Sequence, residues 1–163
     1  MEQSTKLHSD RVSWDDYFLA LLEPLALRST CDRGKCSAII TKNNRILTTG
    51  YAGAPSGLPH CDEAGHLMKT VHTYNSGVSS EHCTRTVHAE ANAILQAARN
   101  GVAIEGGCLY VKMTPCDNCV MLIINSGIKR VICKKRYQRS EALDWLLAAG
   151  IDLIILSDEV EKY

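Results

Sequence analysis

Apolar positions change period more than once along the first third of the chain. Trp14, Phe18, Leu21, Leu22, Leu25 and Ala26 recur at helical spacing. Ser13 precedes them as an N-cap, with Asp16 three positions on. Pro24 lies inside the run and predicts a kink or a weakened turn before the helix ends near Arg28 to Thr30. Two short apolar blocks follow, 36–41 and 45–51, with Lys42-Asn43-Asn44 between them. Asparagine tolerates positive φ, so this stretch predicts a β-hairpin. Gly50-Tyr51-Ala52-Gly53-Ala54-Pro55-Ser56-Gly57 then reads as a loop whose glycines let backbone approach a ligand closely.

Between Leu58 and Val87 the period is lost, and His, Cys, Gly and Ser take over. A structureless loop of that length inside a small domain is expected only where it is functional or stapled. Helical patterning returns at His88 to Arg99 and stops at Asn100-Gly101. From there strand and helix alternate: a strand at 107–113, a helix at 116–125 opened by Thr114-Pro115 and closed by Ser126-Gly127, and a strand at 130–134. A helix at 140–149 closed by Gly150 and a last strand at 151–156 complete the series. Such alternation implies an α/β fold with parallel pairing through crossover helices.

Composition narrows the class. With 163 residues and 45% hydrophobic content the chain suits one domain with a real core. Lys plus Arg and Asp plus Glu are both 18, so the basic excess that marks many nucleic-acid binders is absent. Met1 to Asp10 is polar, unlike a signal peptide, and no apolar run approaches the ~18 residues needed to span a bilayer. A soluble, cytoplasmic protein is expected. In that setting eight cysteines point to metal ligands or core thiols rather than disulfides.

The chemistry concentrates at His88-Ala89-Glu90 and Pro115-Cys116-Asp117-Asn118-Cys119. A histidine at one helix start and a C-x-x-C at another can meet on one ion, where helix N-termini favour thiolates. One imidazole and two thiolates leave a tetrahedral zinc a fourth position for water. Glu90, two residues from the histidine, can then act as general acid and base without holding the metal. H-x-E followed by P-C-x-x-C is the known signature of zinc-dependent deaminases. Met113, Thr114 and Pro115 are expected to fix the approach to the site from one side.

From about Trp14 to Ile155 the chain resembles the deoxycytidylate (dCMP) deaminases of the zinc-dependent cytidine deaminase superfamily. The resemblance rests on Arg28-Ser29-Thr30-Cys31, Gly50-Tyr51-x-Gly53-Ala54-Pro55-x-Gly57, Leu58-Pro59-His60-Cys61-Asp62-Glu63, His88-Ala89-Glu90-x-Asn92-Ala93-Ile94 and Pro115-Cys116-x-x-Cys119. It implies a five-stranded mixed sheet sandwiched by helices, a three-layer α/β/α domain spanning the chain with an insertion at about 58–87. It also implies a free cytosine deoxynucleotide as substrate, dCMP giving dUMP and ammonia, with Glu90 as proton shuttle. Substrate contacts fall on Gly50, Tyr51, Ala52, Gly53, Ala54, Pro55, Ala89, Thr114, Pro115 and Tyr137. Such enzymes are homo-oligomers, often hexamers, and many are activated by dCTP and inhibited by dTTP.

Two departures stand out. Ala52 occupies the position where the family usually has a substrate-contacting Asn, and Cys36-Ser37-Ala38 replaces a usual Val-Gly-Ala. A modified cytosine nucleotide or another small amine-bearing ring is therefore the alternative substrate, and a polynucleotide such as tRNA a more distant one. A non-catalytic zinc protein is disfavoured, because a structural zinc site has no use for Glu90.

The dCMP branch often carries a second, structural zinc. Cys31, Cys61, His66 and Cys83 form a closed four-ligand set that would staple the insertion, with His66 standing where the branch commonly has another Cys. His60, His72 and His82 compete as ligands. Cys36, Cys108 and Cys133 fall in predicted strands and read as small core hydrophobes. Arg28, Lys35, Arg85 and Arg99 are the basic residues near candidate loops or helix ends, each more often a solvated side chain than a phosphate ligand.

Overall fold

A computed structural model describes residues 11–72, 79–137 and 142–161. The polar N-terminus and the expected helix start at Ser140 lie outside them. α1 (Trp14–Ala26) is capped by the Ser13 hydroxyl, which accepts from the Asp16 amide, and continues through Pro24 to its end. β1 (Ser37–Lys42) and β2 (Arg45–Tyr51) form the expected hairpin. Its two-residue turn places both Asn43 and Asn44 at positive φ, the geometry that matches strand twist.

The insertion departs from the irregular loop expected at 58–87. It contains a short helix, α2 (Cys61–Ala64), and an antiparallel two-stranded ribbon, β3 (Met68–His72) with β4 (Ser79–Cys83). All five positions of β3 are exposed, so neither face buries apolar surface and no alternation is written into the sequence. The remaining elements match the expected series: α3 (Ala89–Asn100), β5 (Cys108–Met113), α4 (Asp117–Asn125), β6 (Arg130–Lys135), α5 (Leu143–Ala148) and β7 (Asp152–Ile155).

The main sheet has the order β2-β1-β5-β6-β7. β1 is antiparallel to both its neighbours, while β5, β6 and β7 run parallel. Alternate strand residues feed two separate cores, which is the period of two at work. Ala38, Ile40, Leu109, Val111, Val131 and Cys133 face α3, α4 and α5. Ile39, Tyr110 and Ile132 face Phe18, Leu19 and Leu22 of α1. The result is the three-layer α/β/α sandwich with a mixed five-stranded sheet. Among the described residues no helix is long and apolar enough to cross a membrane.

α3 lies unusually close to the sheet. Ala89, Ala93 and Ala97 recur every four residues on its buried face, and Gly50 of β2 presses against them. Thr48 adds a hydrogen bond from its hydroxyl to the Ala93 carbonyl at 3.1 Å.

Candidate active site

His88 and Cys116 are the N-cap residues of α3 and α4, both in extended backbone, and neither side chain is spent on capping. Their side chains therefore project past the helix starts, where Cys119 in the first turn of α4 joins them. The Cys116 and Cys119 sulfurs lie 3.3 and 3.6 Å from His88 Nδ1, and the three ligand atoms fall within 4.8 Å of one another. Zn–S and Zn–N bonds of usual length at a tetrahedral angle require an S···N edge of about 3.5 Å. The donor set fits zinc in both chemistry and spacing. Hydrogen bonding from Cys119 and then from His88 holds the Cys116 thiol down to about 4, so the thiolate is its favoured form. The same contact with Cys116 pushes His88 up to about 9.

Glu90 sits in the first turn of α3, 9% exposed. Burial pushes its carboxyl above the usual range, and the His88 imidazole pulls the other way. A carboxyl whose charged form is disfavoured by burial takes up a proton more readily than a solvated one, which suits a proton-transfer role.

Backbone pairing sets these groups in place. Gly53 and Val87 exchange both their hydrogen bonds, at 3.2 and 2.9 Å, which ties the loop after β2 to the residue before His88. Asn92 donates to the Tyr51 and Val87 carbonyls, at 2.8 and 3.4 Å. On the far side the Thr114 hydroxyl accepts from the Tyr137 amide at 3.0 Å, while Thr114 N bonds Lys135 O.

A single cleft brings together His88, Ala89, Glu90, Cys116, Ala52, Thr114 and Tyr137. Of the expected substrate contacts, the others are placed elsewhere. Gly50 is packed into α3, Gly53 serves the Val87 pairing, Pro115 is fully buried, and Tyr51, Ala54 and Pro55 do not line the cleft. Of the glycines in 50–57, Gly50 and Gly53 meet protein backbone or side chains while Gly57, at positive φ, faces open space, and Ala52 is the residue of this stretch that lines the cleft. Ala52 has its backbone fully engaged, its amide on Cys36 O and its carbonyl on Thr30 N and Ser29 Oγ.

The cleft also includes Arg33 and Thr86, which the sequence reading passed over, together with His82, weighed there only as a competing metal ligand, and Ser37, noted only as part of a family departure. Cys36, expected inside a strand, precedes β1 and lines the cleft as well, whereas Cys133 is fully buried in the core. Arg28, Lys35, Arg85 and Arg99 do not line it; Arg85 instead donates to the Gly65 and Pro59 carbonyls of the insertion.

A second group of soft ligands gathers beside the first. Cys31, Cys61, His66 and Cys83 place one ligand atom each within 4.8 Å of the others. Cys61 and Cys83 sulfurs are 3.6 Å apart, and Cys31 Sγ lies 3.7 Å from His66 Nδ1, close to tetrahedral edges of about 3.5–3.8 Å. His66 Nε2 lies 2.9 Å from the Asp32 carboxylate. That contact orients the ring with Nδ1 towards the sulfurs, the usual arrangement behind a ligating histidine. Burial works against the Cys83 thiolate, yet hydrogen bonds from His66, two backbone amides and Thr86 bring it to about 6. The competing histidines are otherwise engaged: His60 with Thr30, His72 with Ser79, and His82 with Ser80, each at 2.8 Å.

An acid sealed beside two cysteine sulfurs and an imidazole suits hydrolytic removal of an amine from a ring, and the fold carrying it is that of the zinc-dependent deaminases. Residues 12–135 match the family described as the cytidine and deoxycytidylate deaminase zinc-binding region. ComE operon protein 2 of Bacillus subtilis is 41% identical over 79% of this chain, and the match spans 63% of that protein. The deoxycytidylate deaminase of Mycobacterium phage D29 is 40% identical over 77% of this chain and 97% of its own length. The dCMP deaminase of cyanophage S-TIM5, solved in complex with dCMP and dUMP, superposes with a TM-score of 0.71 at 26% identity, covering 90% and 99% of the two chains. The chain belongs to the cytidine and deoxycytidylate deaminase family.

Proposed function

We propose that this protein deaminates free dCMP to dUMP with release of ammonia. The observation that carries the reading is the buried Glu90 carboxyl beside the His88–Cys116–Cys119 cluster in one cleft with Ala52, Thr114 and Tyr137. The phage relatives named for deoxycytidylate deamination, one matched over nearly its whole length, supply the substrate. The chain's zero net charge favours a small nucleotide over a polymer.

His88, Cys116 and Cys119 hold the catalytic zinc. Its contribution when bound is Lewis acidity, which lowers the pKa of water towards ~7. Glu90 takes one proton from the attacking water and passes it to the ring nitrogen, then carries the second proton, from the hydroxyl now on the attacked carbon, to the departing amine, so that a carbonyl and ammonia result. Burial supports the uptake half of that shuttle, since a desolvated carboxyl gains a proton readily, and the basicity of the developing amine drives the release. Thr114 fixes the Tyr137 backbone and so the wall facing the ring, and Ala52 offers that wall a methyl group and no hydrogen bond.

Cys31, Cys61, His66 and Cys83 hold a second, structural zinc. The exposed β3–β4 ribbon, with little apolar packing of its own, is what such a staple would order. The whole chain functions as a single cytoplasmic domain within a homo-oligomer, under activation by dCTP and inhibition by dTTP. Sedimentation with and without these nucleotides tests that part separately.

The primary test is ammonia release from a panel of cytosine nucleotides, with and without 5-substituents. Turnover of dCMP well above the others supports the reading, and no turnover of dCMP by zinc-loaded protein rejects it. Preference for a 5-substituted nucleotide would instead favour the alternative raised by Ala52.

A further inference from the structure

Tyr137 lines the cleft two residues beyond the end of β6, and the backbone that carries it is held from both sides. Towards β5, Lys135 O accepts from the Thr114 amide, and the Tyr137 amide donates to the Thr114 hydroxyl, both at 3.0 Å. Arg136, between them, turns the other way. Its amide donates to Glu159 O at 2.9 Å, and its carbonyl accepts from the Glu161 amide at 3.0 Å, a parallel bridge centred on Val160. Such alternation is what a strand requires of its backbone. Residues 135–137 therefore prolong β6 by one rung, with Thr114 on one flank and the segment after β7 on the other.

That segment leaves the sheet at Leu156, whose amide still bonds Cys133 O, and returns at Glu159. Its return is ionic as well. Asp158 meets Arg136 at 2.8 Å and Glu159 lies 3.8 Å from Lys135, but these carboxylates are 89% and 70% exposed, where ion pairs add little. Glu161, at 18%, is the shielded one. One of its carboxylate oxygens takes Lys112 of β5 at 2.9 Å and the other takes Lys135 of β6. A single side chain thus pins the returning segment to two adjacent strands. Without its charge, two ammonium groups would face each other at the strand ends that lead to Thr114 and Tyr137, with only the exposed Glu159 beside Lys135.

We infer that Glu161 is a positioning residue for the reaction: it clamps segment 157–161 against β5 and β6 and so fixes the backbone of Tyr137 at the cleft wall. The inference rests on the reading above, in which Tyr137 belongs to the wall that faces the substrate ring. Glu161 itself does not line the cleft. A wall residue set by one rung at a strand end has few bonds to lose. The reacting groups stand apart from it, on α3 and α4, so loosening the wall weakens binding more than chemistry.

The test uses the full-length, zinc-loaded protein. The KM and kcat for dCMP, the calorimetric Kd of the product dUMP, and backbone amide exchange are compared for wild type, Glu161→Gln, Tyr137→Ala and the double variant. Asp158→Asn serves as the exposed control. Glu161→Gln is expected to raise KM and the dUMP Kd about 3- to 10-fold, with kcat within about twofold. Amides of residues 135–137 should exchange about 10-fold faster, and those of α3 and α4 at the wild-type rate. In the Tyr137→Ala background the same change should move either constant by less than about twofold, because its route is already cut. Unaltered KM, or unaltered exchange at 135–137, overturns the inference, since a merely structural ion pair would lower stability and leave both alone. An undiminished effect beside Tyr137→Ala also overturns it, because the carboxylate would then act by way of Lys112. So does an equal rise in KM in Asp158→Asn. Wild-type protein that turns over no cytosine nucleotide rejects the proposed function and this inference together. Wild-type turnover with unaltered KM in Glu161→Gln rejects the role of Glu161 alone.

Discussion

Gly50 offers the sharpest link between packing and activity. It lies in β2 and does not line the cleft, yet a Cβ added there would come 2.2 Å from the Ala89 carbonyl oxygen and 2.5 Å from the Ala93 amide nitrogen. Ordinary carbon contacts begin near 3.5 Å, so the first turn of α3 would have to retreat by roughly 1 Å. Both atoms are backbone, and no side-chain rotation can relieve the clash. That turn carries Glu90, with His88 as its cap. A displacement of this size at catalytic groups costs on the order of 10²-fold in rate. Overpacking of this kind also costs about 1–3 kcal/mol of stability. For Gly50→Ala we therefore expect kcat/KM for dCMP to fall about 100-fold, and the urea midpoint to drop without a change in slope. Zinc should still bind, because Cys116 and Cys119 come from α4. Wild-type rate and midpoint in Gly50→Ala would show that the helix does not bear on the strand as argued.

The remaining predictions concern single groups. Glu90→Gln should keep its zinc and its fold but lose at least about 10²–10⁴-fold in kcat, measured beside metal content; retained activity would remove the glutamate from proton transfer. Cys83→Ala should lower zinc from two ions per chain to one and reduce the melting temperature by about 10 °C, whereas a wild-type content of one ion would exclude the structural site. Lys135 first and then Lys112 hold Glu161 below the usual carboxylate range. A depressed folded pKa gives stability that is present above the unfolded value near 4.3 and lost as pH falls through the folded one. Glu161→Gln should thus lose about 1 kcal/mol at pH 7, and the gap to wild type should close on acidification below pH 4, as followed by denaturant melts. A gap that widens in acid would reverse the assigned sign.

How much of this was readable in advance depended on where each signal lives. The hairpin, the helix starts at His88 and Cys116 and the alternating second half all leave local marks: a turn pair, a cap, a run of one period. Reading the four ligands Cys31, Cys61, His66 and Cys83 together, which the structure gathers within 4.8 Å, drew on residue type and on family resemblance. The β3–β4 ribbon left no mark, because a strand exposed on both faces has no alternation to display. Gly50 and Gly53 were legible as glycines needing space, but not as to what approaches them. Their partners, Ala89 and Val87, lie across the insertion, and only the tertiary fold decides between a ligand and another backbone. Arg33 escaped for a related reason, since an exposed arginine in a charged loop has the same local signature whether it faces water or a cleft.

The two ligand clusters differ in what supports them, and that difference divides the labour of the site. His88, Cys116, Cys119 and Glu90 sit at the starts of helices whose other turns bury Ala93, Ala97, Val120 and Ile123 in the main core. Their placement is therefore as rigid as the sandwich itself, and substitutions that disturb it should damage fold and rate together. The opposite wall, from Arg33 to Thr86, leans on a ribbon with no core of its own. It is held by the soft-ligand cluster, the Asp32–His66 contact and the Arg85 bonds to Gly65 and Pro59. Substitutions there can change what the cleft accepts while leaving the reaction centre intact. A fold built in this way can vary its substrate by rebuilding one wall, and Ala52, which joins the two halves through Cys36 and Thr30, stands at the seam.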